Sequence, residues 1–155
     1  MTSIKGLAGL LGWLLLCFAA AAFGGLFPPG EWYAALQKPA WNPPGWVFGP
    51  VWTLLYTMMA VAAWRVWWRR GFAAARLALG VFIFQLVLNA LWSAIFFGLQ
   101  MPGVAFGHIL LLLAAISLTI MLFHREDRLS IWLLLPYWLW VAFASVLNFT
   151  LWILN

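Results

Sequence analysis

The sequence predicts an all-α integral membrane protein: a five-transmembrane-helix bundle with a long first loop acting as a lid, residues 1–155 forming a single domain. Three observations lead there. Of 155 residues, 67% are hydrophobic and 7% charged, and the mean hydropathy is +1.02. A water-soluble domain needs far more polar surface than that to cover its core. Five apolar runs, near 6–26, 46–68, 77–98, 103–123 and 129–154, each approach the length that crosses a bilayer as a helix. No run alternates with period two, which argues against a membrane β-barrel.

The first run follows Lys5 and carries Ala20, Ala21 and Ala22, a pattern shared with the cleavage region of a signal peptide. Gly24, Gly25, Leu26 and Phe27 continue it past the alanines, so it is read as a retained span. Its Cys17 is the single cysteine, which excludes a disulfide framework and a thiol metal site.

The connection over 27–45 is the long one. It holds Pro28, Pro29, Pro39, Pro43 and Pro44 around a short helical candidate at 31–37. Glu31 at its start and Lys38 at its end suit the helix dipole, and Pro39 is expected to stop it. A loop of this length in so compact a chain reads as a lid. An interfacial helix anchored on lipid by Trp32 and Tyr33 is the alternative.

Residues 41–56, WNPPGWVFGPVWTLLY, join this loop to the second span with three tryptophans, a tyrosine and three prolines. Pro43, Pro44 and Pro50 stiffen the approach, and Pro50 fits the first turn of a helix, where a missing N–H costs nothing. Trp52 and Tyr56 then share a helical face. Such a face lines either a flat apolar ligand site or the aromatic belt at a membrane interface.

In the third span Gln85, Asn89, Trp92 and Phe96 share one face, while Gly80, Ala90, Ala94 and Gly98 lie opposite. The small residues offer a close helix–helix contact, within the chain or at a dimer interface. In the fifth span Tyr137, Trp140, Ala144 and Asn148 share a face, with Pro136 expected to kink the helix above them. Asn89, Gln85 and Asn148 serve either as interhelical hydrogen bonds or as the polar edge of a ligand site.

The net charge of +5 does not indicate nucleic acid, because the basic residues lie between the apolar runs rather than in a stripe. Lys5, Arg65, Arg69, Arg70, Arg76, Arg125 and Arg128 fall on one side of the membrane and Lys38 on the other. In a bacterial inner membrane this places the N-terminus in the cytoplasm and the long loop outside; an outer membrane is the alternative. Arg65 is expected to snorkel from its helix end, and residues 124–128 read as a solvated loop. His108 and His124 have no ligand partner at helical spacing, so no metal site is expected. No acidic residue falls inside a span, which removes the usual proton relay of a coupled transporter.

Three features in order, WNPPGWVFGPVWTLLY, Asn89-x-x-Trp92 and LLPYWLWVAFASVLN at 134–148, closely resemble the TspO/MBR family of tryptophan-rich sensory proteins, relatives of the mitochondrial translocator or peripheral benzodiazepine receptor. The resemblance covers nearly the whole chain. It implies a dimeric five-helix bundle that binds porphyrins such as protoporphyrin, haem and benzodiazepine-type drugs near the first loop, with no obligatory cofactor. The pocket positions it implies are Trp41, Pro43, Trp52, Tyr56, Asn89, Trp92, Trp140, Ala144 and Asn148. In some bacterial members, tryptophans matching Trp52 and Trp140 are linked to light-dependent breakdown of bound protoporphyrin. Mitochondrial members bind cholesterol, but no L/V-x1-5-Y-x1-5-K/R pattern occurs here, so sterol recognition through that motif is not expected. The leading expectation is a porphyrin-binding receptor or sensor; a light-dependent porphyrin-degrading enzyme and a porphyrin or lipid transporter are the rivals.

Overall fold

The computed structural model describes residues 3–155 and contains five helices long and apolar enough to cross a membrane. They are α1 (Ile4–Gly25), α3 (Gly45–Ala74), α4 (Arg76–Ser93, extended by a π-helical turn at Ala94–Gly98), α5 (Pro102–Glu126) and α6 (Arg128–Leu154). A short helix, α2 (Glu31–Ala35), lies in the first connection. Leucines such as Leu7, Leu15, Leu54 and Leu139 point outward, as a lipid solvent requires. The interior combines small residues such as Ala60, Ala62 and Ala63 with fitted aromatics and buried leucines such as Leu55, Leu79 and Leu134.

The first run is a span in the bundle, with Trp13 and Cys17 buried in the core. Ser3 caps α1 through the Gly6 amide. Glycine spacing lets α1 approach α3 closely: a Cβ on Gly9 would lie 1.9 Å from the Trp67 ring. The Trp64 indole donates to the Gly6 carbonyl at 2.8 Å, which ties the same two helices.

Several boundaries differ from the sequence reading. Helix α2 ends at Ala35 rather than residue 37, because Leu36 turns extended and the Lys38 ammonium donates to the carbonyls of Tyr33, Ala34 and Leu36. Helix α3 begins at Gly45, so Pro50 lies inside the helix rather than in its first turn and leaves the Trp46 carbonyl without its usual donor. At its far end α3 runs to Ala74 rather than 68, with a break at Gly71, whose φ of 75° is accessible to glycine. The π-turn after Ser93 was not legible from periodicity; there the Leu99 amide bonds to the Ala94 carbonyl at 2.8 Å.

The segment expected to be a solvated loop at 124–128 is exposed at His124, Arg125 and Arg128 but is not a loop. Asp127 alone separates α5 from α6, and it is buried at 3% exposure. Arg65, expected to snorkel, instead grips Asp127 from α3, its Nε 2.7 Å from one carboxylate oxygen and its Nη2 3.2 Å from the other. Ser130 donates to the same carboxylate at 2.7 Å, and Arg69 stands 3.3 Å away. Arg70 pairs with Glu126 at 3.0 Å. Burial opposes charge on Asp127, but the hydrogen bonds from Arg65 and Ser130 and the charges of Arg65 and Arg69 outweigh it. They hold the carboxyl below its usual range. This cluster clamps α3 to the α5–α6 corner.

Candidate functional site

At the opposite end of the bundle the helices part around a cavity of about 860 Å³. Each wall has a local cause. On α3, Phe48, Trp52 and Tyr56 follow at intervals of four and so stack along one face, Trp52 and Tyr56 with ring centroids 5.6 Å apart. From α6, Trp140, Ala144 and Asn148 repeat the same spacing. The Trp52 and Trp140 rings meet edge to face where the α3 and α6 walls join, 6.5 Å between centroids at 88°. Ala144 leaves room beside Trp140 that a larger side chain would fill. Helix α4 supplies Asn89 and Trp92, and the first connection forms the roof through Phe27, Pro28, Tyr33, Lys38, Asn42 and Pro43.

The roof is held by side-chain contacts, those of α2 among them. Tyr33 and Trp32 lie edge-on to Phe96 at 6.3 and 5.8 Å, and Tyr33 to Phe97 at 5.4 Å. Asn155 bonds to both backbone groups of Gln37, accepting from its N–H at 2.9 Å and donating to its carbonyl at 3.1 Å. Lys38 stands 4.7 Å from the Tyr33 ring centroid and, among the described residues, is the one charged group in the lining.

Eight of the nine residues expected in a pocket stand in this lining: Pro43, Trp52, Tyr56, Asn89, Trp92, Trp140, Ala144 and Asn148. Trp41 does not. A turn closed by the Asn42 amide on the Pro39 carbonyl turns its ring outward, 47% exposed and edge-on to Phe143 at 5.8 Å. Phe48 was missed, although its position four residues before Trp52 placed it on the same face. Phe18 was missed for want of any signal, since α1 is apolar all round.

The polar residues of the spans form two networks. Tyr56 donates to Asn89 at 2.8 Å, Asn89 to Tyr137 at 2.6 Å, and Tyr137 to Gln85 at 2.7 Å. Nearby, the Trp92 indole donates to Asn148 at 3.0 Å, and Asn148 to the Pro102 carbonyl at 2.8 Å. Of the two readings left open for Gln85, Asn89 and Asn148, interhelical bonding is therefore what the structure displays. Tyr137 is fully buried behind the wall, where it supports Trp52 edge-on at 6.4 Å. A ligand in this cavity meets indole and phenyl faces, backed by polar pairs already satisfied by one another. His108 is similarly engaged, its Nε2 2.7 Å from the Leu88 carbonyl.

The small residues opposite this face are placed in different surroundings. Ala90 is buried, and its carbonyl would lie 4.0 Å from a Cβ on Gly24 of α1. Gly98 makes room for Phe27, which a Cβ there would meet at 2.7 Å. Ala94 is half-buried, whereas Gly80 is exposed with open space beside it. Two of the four residues thus serve close packing within the chain.

The TspO/MBR family model matches residues 13–153. Among similar proteins, the tryptophan-rich protein TspO of Archaeoglobus fulgidus is 40% identical over 155 residues, covering 100% of this chain and 99% of its own. That of Chlorobaculum tepidum is 45% identical over 145 residues, covering 90% and 91%. The human translocator protein is 41% identical over 134 residues, covering 83% and 79%.

Proposed function

The chain belongs to the TspO/MBR family, and from that premise we propose that it is a membrane receptor or sensor for porphyrin-type tetrapyrroles, protoporphyrin and haem, and for benzodiazepine-like molecules. One observation carries the reading: a cavity of about 860 Å³ lined by the adjoining indoles of Trp52 and Trp140 under a roof made by the first connection. That volume lies in the range of small-molecule sites, and flat indole walls suit a planar conjugated ligand. Lys38 adds positive charge to the roof, although its three N–H groups are taken up by the carbonyls of Tyr33, Ala34 and Leu36. Titration of protoporphyrin into detergent-solubilised protein should quench tryptophan fluorescence saturably, with one ligand per chain. Quenching that rises without saturation, as for free N-acetyltryptophanamide in the same micelles, would leave the cavity without this ligand.

A second reading, light-dependent degradation of bound protoporphyrin, draws on the Trp52–Trp140 contact. Two adjoining indoles, with Tyr56 and Tyr137 beside Trp52, form an oxidisable cluster against the ligand's face. A transporter of porphyrin or lipid is the third, and uptake into liposomes separates it from both. A homodimer belongs to the same proposal. So does the orientation in the membrane, with the basic end of the bundle in the cytoplasm. Glu31 is exposed in the first connection, whereas Cys17 is buried. A Glu31→Cys protein should therefore react with an impermeant maleimide on intact cells; reaction only after lysis would reverse the orientation.

A further inference from the structure

The residues that line the cavity are not covered equally. Those on α4, α5 and α6 are buried or half-buried. The exposed ones lie on α1, on α3 and at the two ends of the first connection, with Gly25, Gly45, Gly49 and Thr53 among them. Helices α1 and α3 touch closely at the end of the bundle away from the cavity, where the Trp64 indole reaches the Gly6 carbonyl and Trp67 lies on Gly9. Among the described residues, the last ring contact between them toward the roof is Phe18 with Tyr56, 6.2 Å between centroids. Beyond it α1 leans on α4 instead, a Cβ on Gly24 lying 3.4 Å from the Ser93 hydroxyl. A Cβ on Gly25, Gly45 or Gly49 would meet nothing within 4 Å. From Gly45 to Thr53 this open rim follows α3 for about 12 Å, at roughly 1.5 Å per residue.

The roof is fixed on the other sides. Toward α4, Trp32 and Tyr33 pack on Phe96 and Phe97, and Phe27 fills the space at Gly98. Toward α6, Trp41 lies against Phe143 and Asn155 holds both backbone groups of Gln37. These contacts leave the α1–α3 side clear. That side faces lipid rather than water, because Leu26, Trp46 and Leu54 beside the rim are apolar and at least 60% exposed. Thr53 is the polar residue of the rim, and its hydroxyl donates to the Gly49 carbonyl at 2.8 Å, so it presents lipid with no unpaired donor. We propose that the cavity opens sideways into the bilayer, through a portal between the C-terminal turns of α1 and the N-terminal turns of α3, and that apolar planar ligands enter and leave by it while the roof stays closed. The portal rests on the reading of the cavity as a small-molecule site. A glycine rim suits it, because a flat ring system passes where no side chain projects.

A test without porphyrin keeps the portal separate from the choice of ligand. In Cys17→Ala protein, reconstituted in phosphatidylcholine liposomes, Ala144→Cys places the one thiol of the chain in the cavity wall. The lipid-partitioned N-(1-pyrenyl)maleimide should label it. A charged maleimide present on both sides of the membrane should label it only after unfolding in SDS. Gly49→Phe and, from the opposite rim, Gly25→Phe have room for the ring, and each should slow the pyrene reaction about tenfold, since access limits the rate. Gly30→Phe adds the same bulk to the first connection outside the lining and should leave the rate unchanged. All variants are compared at equal elution from gel filtration and equal labelling in SDS. Pyrene labelling undiminished by both rim substitutions, or absent from a thiol that reacts in SDS, would overturn the portal. So would labelling by the charged reagent that quickens in Asn155→Ala, which frees the roof from α6 and would make the roof the way in.

Discussion

Replacing Trp140 by alanine is expected to weaken protoporphyrin binding about thirtyfold, corresponding to roughly 2 kcal/mol for a central aromatic anchor. The indole stands in the cavity wall between Trp52 and Phe48, with ring centroids 6.5 and 5.9 Å away, so truncation removes contact area and loosens two neighbours. Trp140→Phe keeps a ring in place and should weaken binding less. It should nevertheless abolish any light-dependent bleaching of the bound porphyrin, because phenylalanine is far harder to oxidise than indole. Trp132 is the clean control on the same helix, 69% exposed and outside the lining. Trp138 is a poorer one, since its indole donates to Ser117 at 2.8 Å and ties α6 to α5. Affinity and bleaching rate are to be measured for each variant. Equal losses at Trp132 and Trp140 would mean that both belong to a general aromatic belt. Lost bleaching with retained binding in Trp140→Phe would place the degrading enzyme ahead of the sensor.

The other large effect is expected at the opposite end of the bundle. Asp127→Ala should destabilise the protein by about 3 kcal/mol, measured by reversible unfolding in mixed micelles. The substitution removes the one acceptor shared by Arg65, Arg69 and Ser130, and leaves the Arg65 guanidinium, 25% exposed, against a largely buried corner. Asp127→Asn keeps the shape and an acceptor for Ser130, so it should lose less. The pH dependence follows from the depressed carboxyl. The folded protein holds this proton less tightly than the unfolded chain, whose aspartate titrates near ~3.9. Its contribution is therefore fully present above that value and disappears as the pH falls through the lower folded one. The unmodified protein and Asp127→Ala should differ at neutral pH and converge in strong acid. A constant difference down to pH ~2 would show that the charge on Asp127 is not what stabilises the corner.

Composition and run length were enough to determine a five-span helical membrane protein, because a bilayer admits few solutions for a chain so poor in charge. Helical spacing was enough to put Trp52 with Tyr56, and Trp140 with Ala144 and Asn148, since neighbours at four residues must share a face. What spacing could not decide is which face meets which. That Trp52 and Trp140 come into contact, and that Trp41 turns away, depends on how α3 and α6 are rotated and on a turn at 39–42. The same holds for polar residues: Asn89 between Tyr56 and Tyr137, and Asn148 between Trp92 and Pro102, find partners 33 to 56 positions away. Asp127 is the clearest case. In sequence it sits among five consecutive polar residues and reads as solvated, yet a one-residue corner between two spans buries it under an arginine 62 positions earlier. Local patterning reports the period of a helix; burial and pairing belong to the packing of one helix against another, and only the folded bundle sets those.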